Sequence, residues 1–296
     1  MNIYLIGGSS IIGQDIHKYF TYKGVNITST YCNNKINGMI KFDLNIDKFD
    51  NLKPAPKKED IVIILSAVTN VKWAFYNQEL AYDFNTKKII NLIDDIKKVG
   101  CKIYYMSSAE VFEGDKGGYD EFSIPNPVNF YGKTKYNVEI YLKKNIQNFT
   151  IIRTGWNVSD KIVDRCPIKQ TIEALSKRNC IMAEDNKFTL THSEDLAKGL
   201  YELIYSQNFI NEVAHLCSNK AISRINLADL VIKASKQKSY SPYKTVKFKE
   251  IDYPEPRARL NDLSSEYTLN HLNLKFRLPE KIIKDKVAII ERNLNE

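Results

Sequence analysis

Tyr131 and Lys135 are the residues whose types and spacing could do chemistry together. Lysine follows tyrosine by four positions, so on a helix they share one face, about one turn apart. A free phenol titrates near ~10, and a close ammonium favours the phenolate, which brings the group toward a working acid or base near neutrality. Lowering it by about three units needs about 4 kcal/mol of differential stabilisation, within reach of one lysine plus a bound cofactor. Taken alone, the pair also fits an exposed lysine beside a half-buried tyrosine. Its company is an apolar run ending in Ser107-Ser108 and a glycine turn near the start of the chain.

The segment holding the pair reads as a helix, with Val138, Ile140, Tyr141 and Leu142 on its apolar side and Lys133, Lys143 and Lys144 on its wet side. At the start of the chain, Asn2 to Ile6 reads as a buried strand. Gly7, Ser10, Ile11, Ile12 and Gly13 follow in a turn, and then an amphipathic helix runs through Phe20 and Tyr22 until Gly24 stops it. With a second strand from Val25 to Tyr31, this is the opening of a dinucleotide-binding βαβ unit. A turn free of side chains lets backbone N–H groups approach a pyrophosphate at a helix N-terminus, whose dipole favours the anion. Ser10 fills the position where the motif has its middle glycine; it is small, though less forgiving.

Met39 to Phe42 reads as a strand ending in Asp43-Leu44, and Asp60 to Ser66 as another leading into Ala67. A long helical region containing Asn85 closes at Gly100, and Cys101 to Ser108 is the next strand. This alternation predicts an α/β fold of Rossmann type, a doubly wound parallel sheet with helices on both faces. Ligands in such sheets sit at the carboxyl ends of strands. Gly7, Asp43, Ala67 and Ser108 all fall at such ends, which predicts one shared crevice.

Further on, Phe149 to Arg153 reads as a strand, Gly155-Trp156 opens something less regular, and Pro167 to Arg178 is helical. A helix opens at Glu194 and runs to Ile204, and Val213 to Cys217 is a late strand. Pro242, Pro254, Pro256 and Pro279 predict short elements joined by loops. The expected organisation is a dinucleotide-binding domain over 1–155, with returns to the sheet around 188–218. A smaller C-terminal substrate-binding lobe comes from 156–187 and 219–296.

The 296 residues carry a formal charge of +8, but acids are interleaved among the lysines and no long basic run or aromatic-basic ladder occurs. A lysine-rich surface mildly attractive to small anions is therefore expected, and no nucleic-acid partner. Five cysteines, widely spaced and odd in number, indicate neither a disulfide framework nor a zinc site. The four histidines are dispersed, so no metal is expected. No signal peptide or membrane span is read, and the expected location is cytoplasmic.

On these residues the chain resembles the extended short-chain dehydrogenases/reductases, and among them the dTDP-4-dehydrorhamnose reductase family of nucleotide-sugar reductases. The resemblance runs over nearly the whole length. It takes in the turn from Gly7 to Gly13, Asp43-Leu44, and Asn77 to Tyr82 running into Asn85. It continues through Ser108 to Phe112, Pro127 to Gly132 with Lys135 and Glu139, Arg153 to Trp156, Asp195 to Ala197, and His215-Leu216. The family implies that Tyr131 is the general acid toward a sugar oxygen. It implies that Ser108 hydrogen-bonds that oxygen, and that Lys135 holds the nicotinamide ribose while Asn85 braces the lysine through backbone and water. Gly7, Ser10, Ile11, Ile12 and Gly13 would lie along the pyrophosphate, Asp43 and Leu44 at the adenine, and Ala67 near the ribose. Glu110, Trp156 and Arg259 would meet substrate, with Arg257 beside Arg259 in a stretch like the family's C-terminal arginine motif. The plainer readings are that Asp43 caps a turn, Trp156 is core and Glu139 is a solvated helix charge.

Two departures matter. The second strand ends in Thr30 to Lys35 without the acid that NAD-preferring relatives use on the ribose, and Lys35 could meet a 2′-phosphate, so NADP is expected, with NAD as the alternative. Ala109-Glu110 replaces the Asp-Glu pair of nucleotide-sugar dehydratases, which argues against dehydration. The resemblance thus implies an NAD(P)H-dependent reductase of a keto group on a nucleotide-activated deoxysugar, and allows a homodimer. An epimerase with tightly held NAD, and a non-catalytic regulatory subunit like the partner of methionine adenosyltransferase, stay open on the same residues.

Overall fold

Ile3–Ile6 is apolar and buried at every position, which suits a strand in the middle of a sheet covered on both faces. The computed structural model describes residues 1–206, 209, 211–236 and 240–294, so the expected lobe is seen without 237–239 and 295–296. Ile3–Ile6 is strand β1, followed by β2 (Ile27–Tyr31), β3 (Ile40–Lys41), β4 (Ile61–Ile64), β5 (Lys102–Met106) and β6 (Phe149–Arg153). Three strands of the lobe come next, β7 (Trp156–Val158), β8 (Ile181–Ala183) and β9 (Phe188–His192), and then β10 (Val213–His215), β11 (Ala221–Ile222) and β12 (Lys244–Val246). The main sheet has seven strands in the order β10-β6-β5-β4-β1-β2-β3, and every neighbouring pair is parallel. The chain moves outward one way from β1 through β2 to β3, then returns to start the other half at β4. Ligands of doubly wound sheets bind at this reversal.

The helices are α1 (Ile11–Tyr22), α2 (Val71–Tyr76), α3 (Gln78–Tyr82), α4 (Lys88–Val99), α5 (Phe130–Asn145), α6 (Pro167–Leu175), α7 (Ser193–Tyr205), α8 (Arg224–Ala234), α9 (Glu266–His271) and α10 (Pro279–Leu294). The period-two alternation of the strands sorts their side chains between two cores. Ile3 and Leu5 pack with Ile16 and Phe20 of α1 and with Leu196 and Leu200 of α7. Tyr4 and Ile6 face the other way, toward Ile89 and Ile93 of α4 and Val138 and Leu142 of α5. The lobe has a core of its own where α6, α8 and α10 meet around Ile168, Leu227 and Ile283.

Several expectations need correction. Trp156 starts a regular short strand, β7, which pairs with β9 in a separate three-stranded sheet whose other edge is β11. Of the expected returns to the sheet, therefore, Val213–His215 joins the main one and Phe188–His192 does not. Pro279 opens the 16-residue helix α10, because proline at a first helical position lacks only an N–H that would be unsatisfied anyway. On α5, Ile140 is exposed, and the buried stripe is instead Tyr131, Lys135, Val138, Glu139 and Leu142.

Gly132 fixes where α5 begins. A β-carbon there would lie 2.0 Å from the carbonyl oxygen of Glu110 and 3.0 Å from Pro127 Cβ, so the first turn rests directly on the loop after β5. Gly132→Ala must push that turn away. The expected cost is about 1–3 kcal/mol of stability, read as a lower urea midpoint. An unchanged midpoint would show that the helix tolerates the added methyl group.

Candidate active site

Ser108 ends the β5 segment in extended conformation and caps the one-turn helix Ala109–Val111, its Oγ accepting the Glu110 N–H at 3.2 Å. Asn129 caps α5: its Oδ1 accepts the Gly132 N–H at 2.8 Å, and its Nδ2 donates to Glu110 Oε2 at 2.6 Å. The turn after β5 and the start of α5 are thus tied together, and the Ser108 hydroxyl faces the Tyr131 phenol. Burial pushes Tyr131 well above the ordinary phenol range; the facing Ser108 hydroxyl opposes that shift, the Glu110 carboxylate adds to it and the Arg165 guanidinium counters it. The sequence expectation of a depressed phenol counted a bound cofactor beside Lys135; in the ligand-free site burial dominates. The Lys135 ammonium lies 4.2 Å from the centre of the Tyr105 ring, and desolvation outweighs any help it gives Tyr131.

Lys135 is 2% exposed. Burial draws it down to about 7, with the Glu139 carboxylate holding it up. Its ammonium has no hydrogen-bond acceptor among the described residues. A buried cation of this kind is costly to leave without one, so a ligand hydroxyl or phosphate oxygen fits there. Asn85 sits in a π-helical turn, Asp83–Lys87, a rare distortion frequent at functional sites. Its side chain accepts from Val68 N (2.7 Å) and donates to Val68 O (2.9 Å), and also donates to Thr134 Oγ1 (3.4 Å). Asn85 therefore locks the loop after β4 against α5 between Tyr131 and Lys135, rather than touching the lysine itself.

The glycine turn lies at the end of β1. Gly7 has φ +87, and a β-carbon on it would meet Ser66 Oγ at 2.8 Å; one on Gly13 would meet Gly8 O at 2.6 Å. Ser10 is the N-cap of α1, its hydroxyl accepting the Gly13 N–H at 3.1 Å. The N–H groups of Ile11 and Ile12, first in the helix, have no intrahelical acceptor. Open amides, a positive helix end and a cradle that side chains would fill suit a pyrophosphate. Ala67 is half-buried in the loop after β4, across the order reversal from Gly7. Leu44 packs partly against the core, and Lys35 is exposed beyond β2. Asp43 accepts the Asn45 N–H (2.9 Å) and side-chain amide (2.6 Å), bonds that hold its carboxyl below the usual range. Its carboxylate thus builds its own turn.

A cavity beside the Tyr131 turn is lined by Glu110, Trp156, Arg224, Tyr253, Arg257 and Asn261, among others. Trp156 stacks on Phe188 at 4.4 Å, and the Arg224 guanidinium lies 4.2 Å from the Trp156 ring centre. Arg257 covers Tyr253 at 4.8 Å. Glu110 accepts from Asn261 Nδ2 at 2.9 Å, and burial raises its carboxyl. Arg259, expected at substrate, does not line the cavity. It donates to the carbonyls of Asp185 (3.0 Å) and Asp115 (3.5 Å), clamping two loops. Arg224 was not foreseen, although an arginine directly after a Ser223 N-cap, where the helix dipole disfavours a cation, was a signal that could have found it. Arg165 was also missed. It donates to Thr69 Oγ1 (3.2 Å) and Thr69 O (3.0 Å), and so reaches from the lobe to the loop after β4.

Asp160, His192 and Glu194 also converge, but Arg277 donates to both His192 Nδ1 (2.7 Å) and Glu194 Oε2 (2.6 Å), so a cation already sits among them. No helix among the described residues is long and apolar enough to cross a membrane.

Known proteins resemble this chain at low identity. The dTDP-4-dehydrorhamnose reductase of Mycobacterium tuberculosis is 25% identical over 214 residues, covering 70% of this chain and 69% of that protein. The methionine adenosyltransferase 2 subunit beta of Xenopus tropicalis is 37% identical over 75 residues, 25% of this chain and only 22% of the relative's length. The crystal structure of Bacillus anthracis dTDP-4-dehydrorhamnose reductase in complex with NADP superimposes with a TM-score of 0.78 at 22% identity, over 97% of this chain and 99% of that one. The family described as RmlD substrate binding domain matches residues 1–289, which takes in the glycine turn, the Ser108-Tyr131-Lys135 set and the lobe alike; the chain belongs to that family.

Proposed function

We propose that this protein is an NADPH-dependent reductase of a keto group on a nucleotide-activated deoxysugar, of the dTDP-4-dehydrorhamnose reductase kind. The observation that carries the reading is the meeting of Ser108, Tyr131 and the unpartnered Lys135 ammonium at the carboxyl ends of the strands, beside the open amides at the start of α1. The cofactor, when bound, supplies hydride. Gly7, Ile11, Ile12 and Gly13 would hold its pyrophosphate, and Lys135 would donate to its ribose. Lys35 is free to meet a 2′-phosphate, in line with the NADP held by the B. anthracis relative.

Tyr131, kept protonated by burial, gives its proton to the sugar oxygen as that oxygen gains charge. Ser108 donates a hydrogen bond to the same atom, and the Lys135 ammonium favours the phenolate left behind. Arg224 and Arg257, both stacked on aromatic rings of the cavity, are placed for a substrate diphosphate. The five cysteines are all free, as suits a reducing cytoplasm.

The test is NADPH oxidation against a panel of nucleotide 4-keto-6-deoxysugars, with Tyr131→Phe alongside. Activity on at least one member, lowered by about a hundredfold or more in the variant, is expected. Full activity in Tyr131→Phe removes the proposed acid, and cofactor binding without turnover on any member favours a regulatory subunit. Cofactor that co-purifies and is never consumed points to an epimerase.

Lys135 also sets a pH signature for the ligand-free protein. Its folded value of about 7 lies below its ordinary 10.5. Between those two values the unfolded chain binds the extra proton, so this group makes stability rise with pH across that window. Urea midpoints of wild type should climb toward those of Lys135→Met as pH rises from about 7 to about 10. A gap between the two proteins that does not change with pH would contradict the assignment.

A further inference from the structure

The buried stripe of α5 does not end at the catalytic pair. Tyr131, Lys135 and Glu139 follow one another at four-residue spacing, each about a turn further along. Glu139 is fully buried, not solvated as one reading of the sequence had it. Its Oε1 accepts from Ser107 Oγ (2.5 Å) and Arg153 Nε (3.1 Å), and its Oε2 from Arg153 Nη2 (2.7 Å). The carboxylate is thereby pinned to the β5 segment, beside Ser108, and to β6. Glu139 is ion-paired with Arg153, and the buried Lys135 ammonium belongs to the preceding turn of the same helix. A buried pair of this kind adds little to stability compared with apolar replacements, so its position one turn beyond Lys135 points to a use.

The groups around Lys135 can be named from each side. Tyr131 and Glu139 share its helix, Tyr105 faces it from β5, and Ser107, just after that strand, reaches Glu139. Arg153 comes from β6, with His215 of β10 behind it, held neutral by burial and by Arg153 at about 3. Glu110 lies on the turn against the start of α5, and Arg165 comes from the lobe toward Tyr131. The π-helical turn brings neutral Asn85 and Thr86, while Asp83 pairs with Lys88 at 2.7 Å. Among these, the one whose charge supports the ammonium is Glu139.

We propose that Glu139, fixed by Arg153 and Ser107, is a positioning residue that keeps the buried Lys135 charged and so sets the alkaline limit of the reaction. When Tyr131 has passed its proton to the sugar oxygen, the phenolate is stabilised only while Lys135 keeps its own. Loss of the Glu139 charge lets the ammonium shed that proton at lower pH. The consequence for turnover rests on the reductase reading, whereas the charge state of Lys135 does not.

The experiment uses the full-length, ligand-free chain with lysines labelled at the ε-carbon, titrated by NMR, with Lys135→Met identifying the signal. In Glu139→Gln the Lys135 midpoint should fall by about one pH unit or more, and Glu139→Asp should restore most of it. The alkaline limb of kcat against pH should move with the midpoint. Should Glu139→Gln leave Arg153 unpaired and fail to fold, the midpoint is compared between Arg153→Met and Glu139→Leu combined with Arg153→Met, which differ only in the Glu139 charge, and a fall of about one pH unit is expected from the first to the second. A midpoint in Glu139→Gln equal to that of wild type, or in the double variant equal to that of Arg153→Met, overturns the proposal and leaves Glu139 a purely structural anchor. A midpoint that falls in a protein reducing no sugar nucleotide upholds the positioning role and rejects the reductase reading alone.

Discussion

The site depends on one close contact, the first turn of α5 seated on the backbone after β5. Gly132 has no β-carbon to hold the two apart, and Asn129 bonds both to the helix amide of Gly132 and to the Glu110 carboxylate. Because helix and turn meet there, the Ser108 hydroxyl can face the Tyr131 phenol, and the helix axis then fixes Lys135 and Glu139 beneath it. The parallel sheet supplies the second constraint. Its strand order reverses between β1 and β4, and that reversal opens the crevice in which the glycine turn and Ala67 lie side by side.

Burial does more to the titrating groups than their mutual attraction does. Tyr131 is raised and Lys135 lowered, both by desolvation first, so the ligand-free site holds a protonated phenol and an ammonium close to losing its proton. This is the charge state a proton donor needs before it acts. It differs from the picture of a lysine simply drawing a neighbouring phenol toward neutrality, because the ammonium here rests on the Tyr105 ring.

The sheet was legible in the sequence because its strands are short apolar runs between glycine and helix signals, as in Ile61–Ile64. Tyr131, Lys135 and Ser108 were legible because their spacing survives in one dimension. The cavity lining was legible in part: Glu110 and Trp156 were named from the sequence, but of Arg257 and Arg259 the spacing could not say which would face inward, and Arg224 and Phe188 meet the rest only through the packing of the lobe. Glu139 stayed open for a similar reason: a charge on a helix can read as solvated until its partner, Arg153 on β6, is known.

The central claim is that a dinucleotide delivers hydride to a carbon whose oxygen Tyr131 protonates. The most direct measurement follows deuterium from the hydride-bearing carbon of NADPH during turnover of a nucleotide 4-keto-6-deoxysugar. Label is expected on the sugar carbon that gains the hydroxyl group, in step with the NADPH consumed. Sugar product without that label, or label kept in a cofactor that is never used up, would contradict it.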